Sequence, residues 1–366
     1  MKVALAHFQW FTEFKGGAER HLIETYDSLK DKVDFNLVTG FQKSAEGIPD
    51  QRYLTHYKND SVFLKHLQYH MHSKKMLERI KPDITHAMTL STHIRKPFIF
   101  WSTQIEYTNT DHWFMSSPMF RMLARHVFQK ADAVQVHTEC LKNQILRKIK
   151  IPAEKIFVIE QPVNKNIVID EKLREQTRKE LGIEDKTAIY FPARIIPNKR
   201  QDLLIKALAL MDKNLQKNVV VLFSGLLQDK DYFESLKKLA EGLPVIFKPD
   251  ISSNIGLYNA CDIVAHPREI TESGGAIIPE AMSLGKSLVL SDVESFRELS
   301  KGNALFFKPD DASDLAAKLE RICTDEKLRS ELITKGFDII KKCYRAEVCC
   351  KKQLELYESV AKRGNL

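Results

Sequence analysis

Short apolar runs rich in β-branched residues alternate with helical patterns along nearly the whole 366-residue chain. A strand-like run at residues 2–6 precedes a helical pattern at 17–29. After residue 166 the alternation resumes, with a strand-like run at 187–193 and a helical pattern at 200–211. Such alternation is typical of parallel sheets covered by helices on both faces. At roughly 100–200 residues per domain, the chain is long enough for two such domains. The sequence therefore predicts an α/β protein with two doubly wound domains.

The two series of strands and helices meet near residue 165. We therefore expect a first domain at residues 1–165, a second at 166–345, and a C-terminal helix at 346–366 that packs back on the first domain. Ligands of doubly wound folds bind beyond the carboxyl ends of the strands. A ligand shared by two such domains would lie in the cleft between them.

Charge and cysteine content limit the surroundings in which this chain works. The net charge is +8, and residues 1–164 hold 23 basic against 17 acidic residues. No apolar run reaches the ~20 residues of a membrane-spanning helix, and residues 1–11 fit a strand better than a signal peptide. The six cysteines form no C-x-x-C pair, as is typical of reduced thiols. These features indicate a cytoplasmic protein.

Two segments of the first domain, residues 61–81 and 114–130, carry basic and apolar side chains together. A basic amphipathic surface is suited to anionic lipid, which would place the protein peripherally on the inner face of the membrane, within reach of a lipid-linked acceptor. The alternative is that both helices bury their apolar sides in the domain. Aromatic-plus-basic stacking motifs for nucleic acid are missing, so we expect no nucleic-acid partner.

The densest cluster of polar and glycine residues is PREITESGGAIIPEAMSLGKSLVLSD at residues 267–292. It begins where a buried strand ends, and Pro279 suits the first position of a helix. Backbone N–H groups of a glycine-rich loop before a helix can hold an anion or a sugar hydroxyl. The loop residues are Ser273, Gly274, Gly275 and Ala276. Glu280 could accept two ribose hydroxyls, or it could simply complement the helix dipole. Glu272 lies eight residues before it.

Two further segments place candidate ligand-binding residues after strands. In FPARIIPNKRQDLLIKAL (191–208), Arg194 follows a strand and Lys199 opens the next helix. Basic residues at a helix start oppose the helix dipole, so Lys199 and Arg200 indicate a bound anion there. Such cations can neutralise the charge that develops on a diphosphate leaving group. In FQWFTEFKGGAERHL (8–22), Gly16 and Gly17 follow the first strand and permit close backbone approach. A tight turn is the alternative there.

Together these segments resemble the family 4 retaining glycosyltransferases. Glu272 and Glu280 match the E-x7-E motif of that family, and Gly16, Gly17 and Glu19 match its G-G-x-E loop. Arg194 and Lys199 match its Arg and Lys after the first strand of the C-terminal domain. The resemblance covers residues 190–320 well and residues 1–165 more weakly.

The resemblance implies a GT-B fold of two Rossmann-like domains and a UDP- or GDP-sugar donor. It implies a glycan or lipid-linked acceptor, and the synthesis of cell-surface polysaccharide or glycoconjugate. Glu280 would hold the ribose, while Glu272 and the following amides would hold the donor sugar. Arg194 and Lys199 would hold the diphosphate, so Glu272, Arg194 and Lys199 are the expected catalytic residues. No metal or other cofactor is expected, and the D-x-D sequence at 229–231 fits a surface helix start.

The chain departs from the family pattern near the expected acceptor side. Many members carry a histidine there, whereas this sequence reads WSTQIEYTNTDHW at residues 101–113. Thr103 or Gln104 falls near that position, and His112 comes several residues later. Pro192-Ala193 replaces the usual glycine before Arg194, and Leu226 stands where a second glycine is usual after Gly225. Two other functions stay open: a non-catalytic partner that binds a sugar nucleotide, and a nucleotide-sugar epimerase of GT-B fold.

Overall fold

In a computed structural model, the chain divides into two compact units. One contains the described residues of 1–162 together with the C-terminal helix, and the other contains those of 163–345. The described residues are 1–8, 17–41, 48, 52–57, 61–102, 118–164, 166–251, 254–268 and 276–364. Within these, the side chains of residues 17–21, 62, 119–120 and 364 are not described.

The first unit is built on a parallel sheet of seven strands in the order β3-β2-β1-β4-β5-β6-β7. The strands are β1 (Lys2–Ala6), β2 (Asp34–Phe41), β3 (Leu54–His56), β4 (Ile84–Ala87), β5 (Phe98–Trp101), β6 (Ala133–Val136) and β7 (Ile156–Val158). Strands β4, β5 and β6 are buried along their whole length. Their near-continuous apolar runs follow from helices on both faces of the sheet, because neither face needs polar side chains.

Helices cover this sheet on two sides. They are α1 (Gly17–Leu29), α2 (Val62–Ile80), α3 (Pro118–Lys130) and α4 (Glu139–Lys148), followed much later in the chain by α14 (Ala346–Gly364). One apolar core joins the sheet to α2, α3 and α4. The other core joins it to α1 and to α14, whose Leu356, Tyr357 and Val360 are fully buried. The last helix of the chain therefore belongs structurally to the first sheet.

The second unit has a parallel six-stranded sheet in the order β10-β9-β8-β11-β12-β13. Its strands are β8 (Thr187–Pro192), β9 (Val219–Gly225), β10 (Val245–Pro249), β11 (Ile263–His266), β12 (Ser287–Ser291) and β13 (Leu305–Phe307). Its helices are α5 (Glu171–Leu181), α6 (Gln201–Leu210), α7 (Lys213–Gln216), α8 (Lys230–Leu239), α9 (Ile255–Ala260), α10 (Ile277–Ser283), α11 (Glu294–Leu299), α12 (Ala312–Thr324) and α13 (Glu326–Ile339). Two separate cores pack against the two faces of this sheet.

The predicted fold class, two doubly wound domains with parallel sheets, is confirmed. Several local details differ from the sequence prediction. Helices α5 and α11 and the short strand β3 were not predicted, because each is brief or strongly polar and carries little apolar periodicity. Among the helices of the described residues, none combines the length and apolar character that a membrane crossing requires.

Candidate active site

Arg194 and Arg268 emerge side by side from the carboxyl edge of the second sheet. Arg194 comes two residues after β8, and Arg268 comes two residues after β11. These strands are parallel neighbours, with Ile263 opposite Ile189. The carboxyl ends of parallel strands meet at one edge, which is where doubly wound folds bind ligands. The pairing of β8 with β11 therefore sets two guanidinium groups at one ligand-binding edge.

The loop that carries Arg194 is held firmly. The carbonyl of Arg194 accepts a hydrogen bond from Gln201 Nε2 at 2.9 Å, and its guanidinium donates to Gln228 Oε1 at 2.9 Å. The side chain is nevertheless exposed. A fixed backbone with an accessible guanidinium is an arrangement suited to binding an anionic ligand from solvent.

Lys199 does not open the following helix as the sequence predicted. It lies in a short 3₁₀ turn, Pro197–Lys199, and α6 begins only at Gln201 because Arg200 adopts the left-handed conformation with φ of 60°. The ammonium-bearing side chain of Lys199 is buried rather than spread on the surface. It therefore sits inside the edge that Arg194 borders.

The expectation that a bound anion is needed to explain Arg200 is wrong. Its guanidinium pairs with the carboxylates of Asp202 and Asp310. These contacts give Arg200 an internal role in joining the start of α6 to the residues before α12. Arg194 and Lys199 therefore remain the residues predicted to bind an anion, and the structure adds Arg268 to them.

Positive charge is concentrated at this edge. Burial, together with the charge of Arg194, lowers the pKa of Arg268 to about 10. Burial and the charges of Arg268 and Lys199 hold the pKa of His266 far below its usual range. His266 is therefore neutral, and it packs edge-on against Phe191 and Phe296. Cations that repel one another in this way favour the binding of a polyvalent anion between them.

The same edge is shaped by a close backbone contact. Gly225 ends β9 with φ of 144°, and a Cβ atom on it would lie 2.1 Å from the carbonyl oxygen of Ala193. Asp250 braces the loop beyond, donating its N–H to the Gly225 carbonyl and accepting from Leu227 N through its carboxylate. Only glycine fits this approach. The glycine that the family carries before Arg194 is thus not needed for the two loops to meet.

Glu280 lies in the first turn of α10 and is only 4% exposed. Its Oε2 accepts a hydrogen bond from the hydroxyl of Tyr258, at 3.2 Å. The ring of Tyr258 packs edge-on against Tyr190, whose hydroxyl contacts Ser224 Oγ. A carboxylate that only complemented a helix dipole would stay in water, because burial of charge is costly. The burial of Glu280 therefore favours a binding role.

Pro279 stands at the third position of α10, not at the first as predicted, because the helix already begins at Ile277. A proline is tolerated throughout the first turn, where backbone N–H groups have no partner within the helix. Ala276 is the residue that precedes the helix, with helical backbone angles. The remaining loop residues of the prediction, Glu272, Ser273, Gly274 and Gly275, lie outside the described residues.

The glycine loop and the acceptor-side residues of the prediction fall within residues 1–162 of the sequence. Gly17 begins α1, whereas Gly16, Thr103, Gln104 and His112 lie outside the described residues. At the carboxyl edge of the sheet in the first unit, Thr89 Oγ1 accepts from the backbone N–H of Phe8 and contacts His7 Nδ1 at 2.8 Å. The ends of β1 and β4 are tied together in this way.

The D-x-D sequence at 229–231 has a structural use. Asp229 caps α8 by accepting a hydrogen bond from the backbone N–H of Tyr232 at 2.9 Å, and Asp231 is exposed in the first turn. Across the part of the chain that is described, no three His, Cys, Asp or Glu side chains gather as they would around a metal ion.

Two residues of this site, Arg268 and Tyr258, were missed from the sequence. Arg268 carried a usable signal, because it follows a buried strand just as Arg194 does. That signal becomes specific only when β11 is known to neighbour β8. Tyr258 gave no signal, since an aromatic residue in a short helix is usually a core residue.

The fold is shared with solved glycosyltransferases. One solved structure, HepE from Anabaena in complex with UDP and glucose, superposes on this chain with a TM-score of 0.79 at 19% identity. The superposition covers 98% of this chain and 100% of the HepE chain. Sucrose-phosphate synthase from Thermosynechococcus elongatus covers 99% of the chain with a TM-score of 0.81 at 16% identity, over 100% of its own length. The protein therefore has the GT-B fold.

Sequence comparison identifies the family. Residues 173–338 match the protein family described as "Glycosyl transferases group 1". Residues 15–167 match the family described as "Glycosyltransferase Family 4". The chain belongs to the family 4 glycosyltransferases. It is also 24% identical, over 304 residues, to the serotype-specific mannosyltransferase WbdA of Escherichia coli, covering 73% of this chain but 37% of that protein. The chain thus spans little more than a third of that relative.

Proposed function

We propose that this protein is a retaining hexosyltransferase that moves a sugar from a UDP- or GDP-sugar onto a glycan or lipid-linked acceptor. The product would serve the synthesis of cell-surface polysaccharide or glycoconjugate. One observation carries the proposal: the cations Arg194, Lys199 and Arg268 share the carboxyl edge of the sheet that also supports the buried carboxylate of Glu280. A diphosphate and a ribose are the two ligand groups that such side chains recognise.

The chemistry follows from where charge develops. As the glycosidic bond to the donor phosphate breaks, the sugar becomes oxocarbenium-like and negative charge collects on the diphosphate. Arg194, Lys199 and Arg268 would stabilise that charge, because cations fixed in advance need no reorganisation during the reaction. In the proposed route, the acceptor hydroxyl attacks from the face that the diphosphate leaves, and the departing phosphate takes its proton. Glu272 is proposed to hold the donor sugar.

The relatives bear on the transferred sugar. WbdA is a mannosyltransferase. A second relative is the phosphatidyl-myo-inositol mannosyltransferase of Mycolicibacterium smegmatis, to which this chain is 27% identical over 183 residues. That match covers 50% of this chain and 47% of the relative. These names favour mannose. The HepE complex holds UDP and glucose. The names of the two mannosyltransferases give no nucleotide, so UDP-sugars and GDP-sugars both stay within the proposal. A direct comparison of their binding identifies the donor.

Peripheral contact with an anionic membrane is part of the proposal. On α2, Phe63 and Met71 are 47% and 59% exposed, and on α3 Met122 is 71% exposed. The described part of α3 carries Arg121, Arg125 and Lys130 and no acidic residue. Exposed apolar side chains beside basic ones are suited to the boundary of an anionic lipid layer.

Thermal unfolding with candidate ligands tests the donor site. We expect UDP or GDP, and the matching hexose nucleotide, to raise the melting temperature of the wild type, since a ligand that binds only the folded state stabilises it. Glu280→Ala should remove this shift, whereas Glu234→Ala, an exposed glutamate of α8, should retain it. If neither nucleotide stabilises the wild type, the donor-site proposal fails.

Turnover assays separate the alternatives. A hexosyltransferase releases nucleoside diphosphate and glycosylates an added acceptor, whereas an epimerase converts the donor alone and a non-catalytic partner only binds it. Membrane contact is tested by co-sedimentation with phosphatidylglycerol vesicles at low salt. The double variant Leu64→Ser, Met71→Ser, which removes two exposed apolar side chains without adding charge, should sediment less than the wild type. Equal sedimentation of wild type and double variant would contradict the contact.

A further inference from the structure

The connection from β4 to β5 contains no helix. Residues 88–97, all of them described, run from one strand to the next as loop alone. Helices α2 and α3 pack on the same side of the sheet, since both contribute to one core together with Phe98 and Phe100 of β5. A crossover helix usually fills the space between such neighbours. Here a groove of about 700 Å³ lies between α2 and α3, bordered by loop residues 90–94.

Both helices face this groove with the same spacing. The lining residues of α2 are Phe63, His66, Leu67 and His70, and those of α3 are Leu123, His126, Val127 and Lys130. Each set follows the i, i+3, i+4, i+7 pattern of a single helical face. In a packed domain such a face is normally covered by another element. Phe63 and Leu67 are instead about half exposed.

The groove has the size and character of a ligand site. Its volume lies within the ~300–1,000 Å³ that is usual for small-molecule pockets. Leu90 and Val127 are buried, and Ile94 extends the apolar lining. His66 and His70 contact the Ser91 hydroxyl at 2.8 Å and the Ser91 carbonyl at 3.0 Å, respectively. Burial lowers the pKa of His66 to about 4, so the His66 imidazole is uncharged at neutral pH.

Charge around the groove selects the kind of amphiphile. Lys130 lines the groove and places an ammonium group at its edge. The cations of Lys74 on α2 and of Arg95 lie within electrostatic range of His93, another residue of the lining, as does the carboxylate of Glu78. An apolar groove within a basic surface complements a molecule with a hydrocarbon chain and an anionic head.

We propose that this groove binds one hydrocarbon chain of an anionic, phosphate-headed lipid. The hydrocarbon chain lies between the Phe63 and Leu123 sides of the groove, while the phosphate is attracted by Lys130, Lys74 and Arg95. This assignment rests on the membrane contact proposed above and makes it specific, because a lipid chain drawn into the groove anchors the protein more tightly than surface contact alone.

The test uses the 366-residue protein and a series of alkyl phosphates from hexyl to decyl. Each alkyl phosphate is kept below its critical micelle concentration, and its binding is measured by titration calorimetry. We expect one alkyl phosphate to bind saturably to each protein molecule. The affinity should rise about fourfold for each methylene added to the alkyl group. Leu123→Trp, which fills the groove, should weaken decyl phosphate binding at least tenfold. Met122→Trp, the exposed neighbouring residue outside the lining, should bind as the wild type does. Decanol should bind more weakly than decyl phosphate.

Three results would overturn the assignment: no saturable binding, binding that is equal in the two tryptophan variants, or a wild-type dimer that Leu123→Trp dissociates without any alkyl phosphate binding. Dissociation of a dimer by Leu123→Trp would show that the groove binds a second copy of the protein instead of a lipid. Retention of the nucleotide-induced melting shift shows that Leu123→Trp is folded. The variant Leu64→Ser, Met71→Ser lies outside the lining and adds no charge. It should keep alkyl phosphate binding while weakening vesicle binding, so the two proposals fail separately.

Discussion

The hydroxyl of Tyr258 donates a hydrogen bond to the carboxylate of Glu280 across 3.2 Å, linking the short helices α9 and α10 beneath the carboxyl edge of the second sheet. Glu280 is the residue proposed to hold the ribose of the donor. Tyr258 is therefore a positioning residue, since it fixes the carboxylate without itself reaching the nucleotide in this proposal.

Replacement of Tyr258 by phenylalanine should weaken nucleotide binding about fivefold. The ring would still pack against Tyr190, but the carboxylate would lose a hydrogen bond of about 1 kcal/mol. Titration calorimetry with the nucleotide that stabilises the wild type gives the measurement. Tyr357→Phe is a matched control, because its hydroxyl contacts His86 in the first unit. It should lower stability by about 1 kcal/mol and leave nucleotide affinity unchanged.

Replacement of Arg268 by glutamine should weaken nucleoside diphosphate binding by ~10–100-fold, since a charge-assisted hydrogen bond contributes about 1.5–3 kcal/mol. Affinity for the nucleoside without phosphates should change little. Arg297→Gln removes an exposed arginine that pairs with Asp292 and serves as control. Equal losses for nucleoside and diphosphate would show that Arg268 supports the fold and not the diphosphate.

Replacement of Gly225 by alanine should destabilise the second unit by more than about 3 kcal/mol, because the new methyl group would collide with the Ala193 carbonyl and the backbone angle is unfavourable for alanine. Urea unfolding is the measurement. Gly182→Ala provides the comparison: its φ is 65°, but nothing lies within 4 Å of the added carbon. That variant should lose only about 1 kcal/mol. Similar losses at both sites would refute the close contact.

Acid should destabilise the first unit through its buried histidines. Burial lowers the pKa of His86 to about 3, whereas an unfolded histidine titrates near 6.5. Between these values the unfolded chain holds a proton that the folded chain does not, so the free energy of unfolding falls as the pH drops below about 6.5. The stabilisation is complete above that pH. From pH 7 to pH 5, the loss is about 2 kcal/mol for this group.

His86→Asn should reduce that acid-induced loss by about 2 kcal/mol in urea unfolding at pH 7 and pH 5. Met122→Ala, at an exposed position of α3 without a titratable side chain, should leave the difference between the two pH values as it is in the wild type. His137, whose pKa burial lowers to about 4, acts in the same direction and accounts for part of what remains. An unchanged pH dependence in His86→Asn would contradict the prediction.

Helix α2 shows how far periodicity reaches. The basic and apolar segment at residues 61–81 contains the helix Val62–Ile80, because apolar residues recur along it at helical spacing. Periodicity did not reveal that Phe63 and Leu67 would stay half exposed. That outcome depends on the β4–β5 connection, which could have supplied a covering helix and instead runs as a loop.

The start of α6 shows where local reasoning failed. The charges of Lys199 and Arg200 both looked unfavourable at a helix start. Arg200 is in fact neutralised in part by Asp310, which lies 110 residues away in sequence and is brought near by the fold. A distant carboxylate of this kind leaves no trace in the local pattern.

The amino-acid sequence by itself determined the two parallel-sheet units, most of their strands and helices, and the family-like positions of Arg194, Lys199 and Glu280. These follow from local alternation and from spacing along the chain. Only the tertiary structure decided that Arg268 joins Arg194, that Tyr258 holds Glu280, and that α2 and α3 leave a groove open. The physical reason is that each of these depends on strand order and on which faces are covered, and both arise from contacts between residues far apart in the chain.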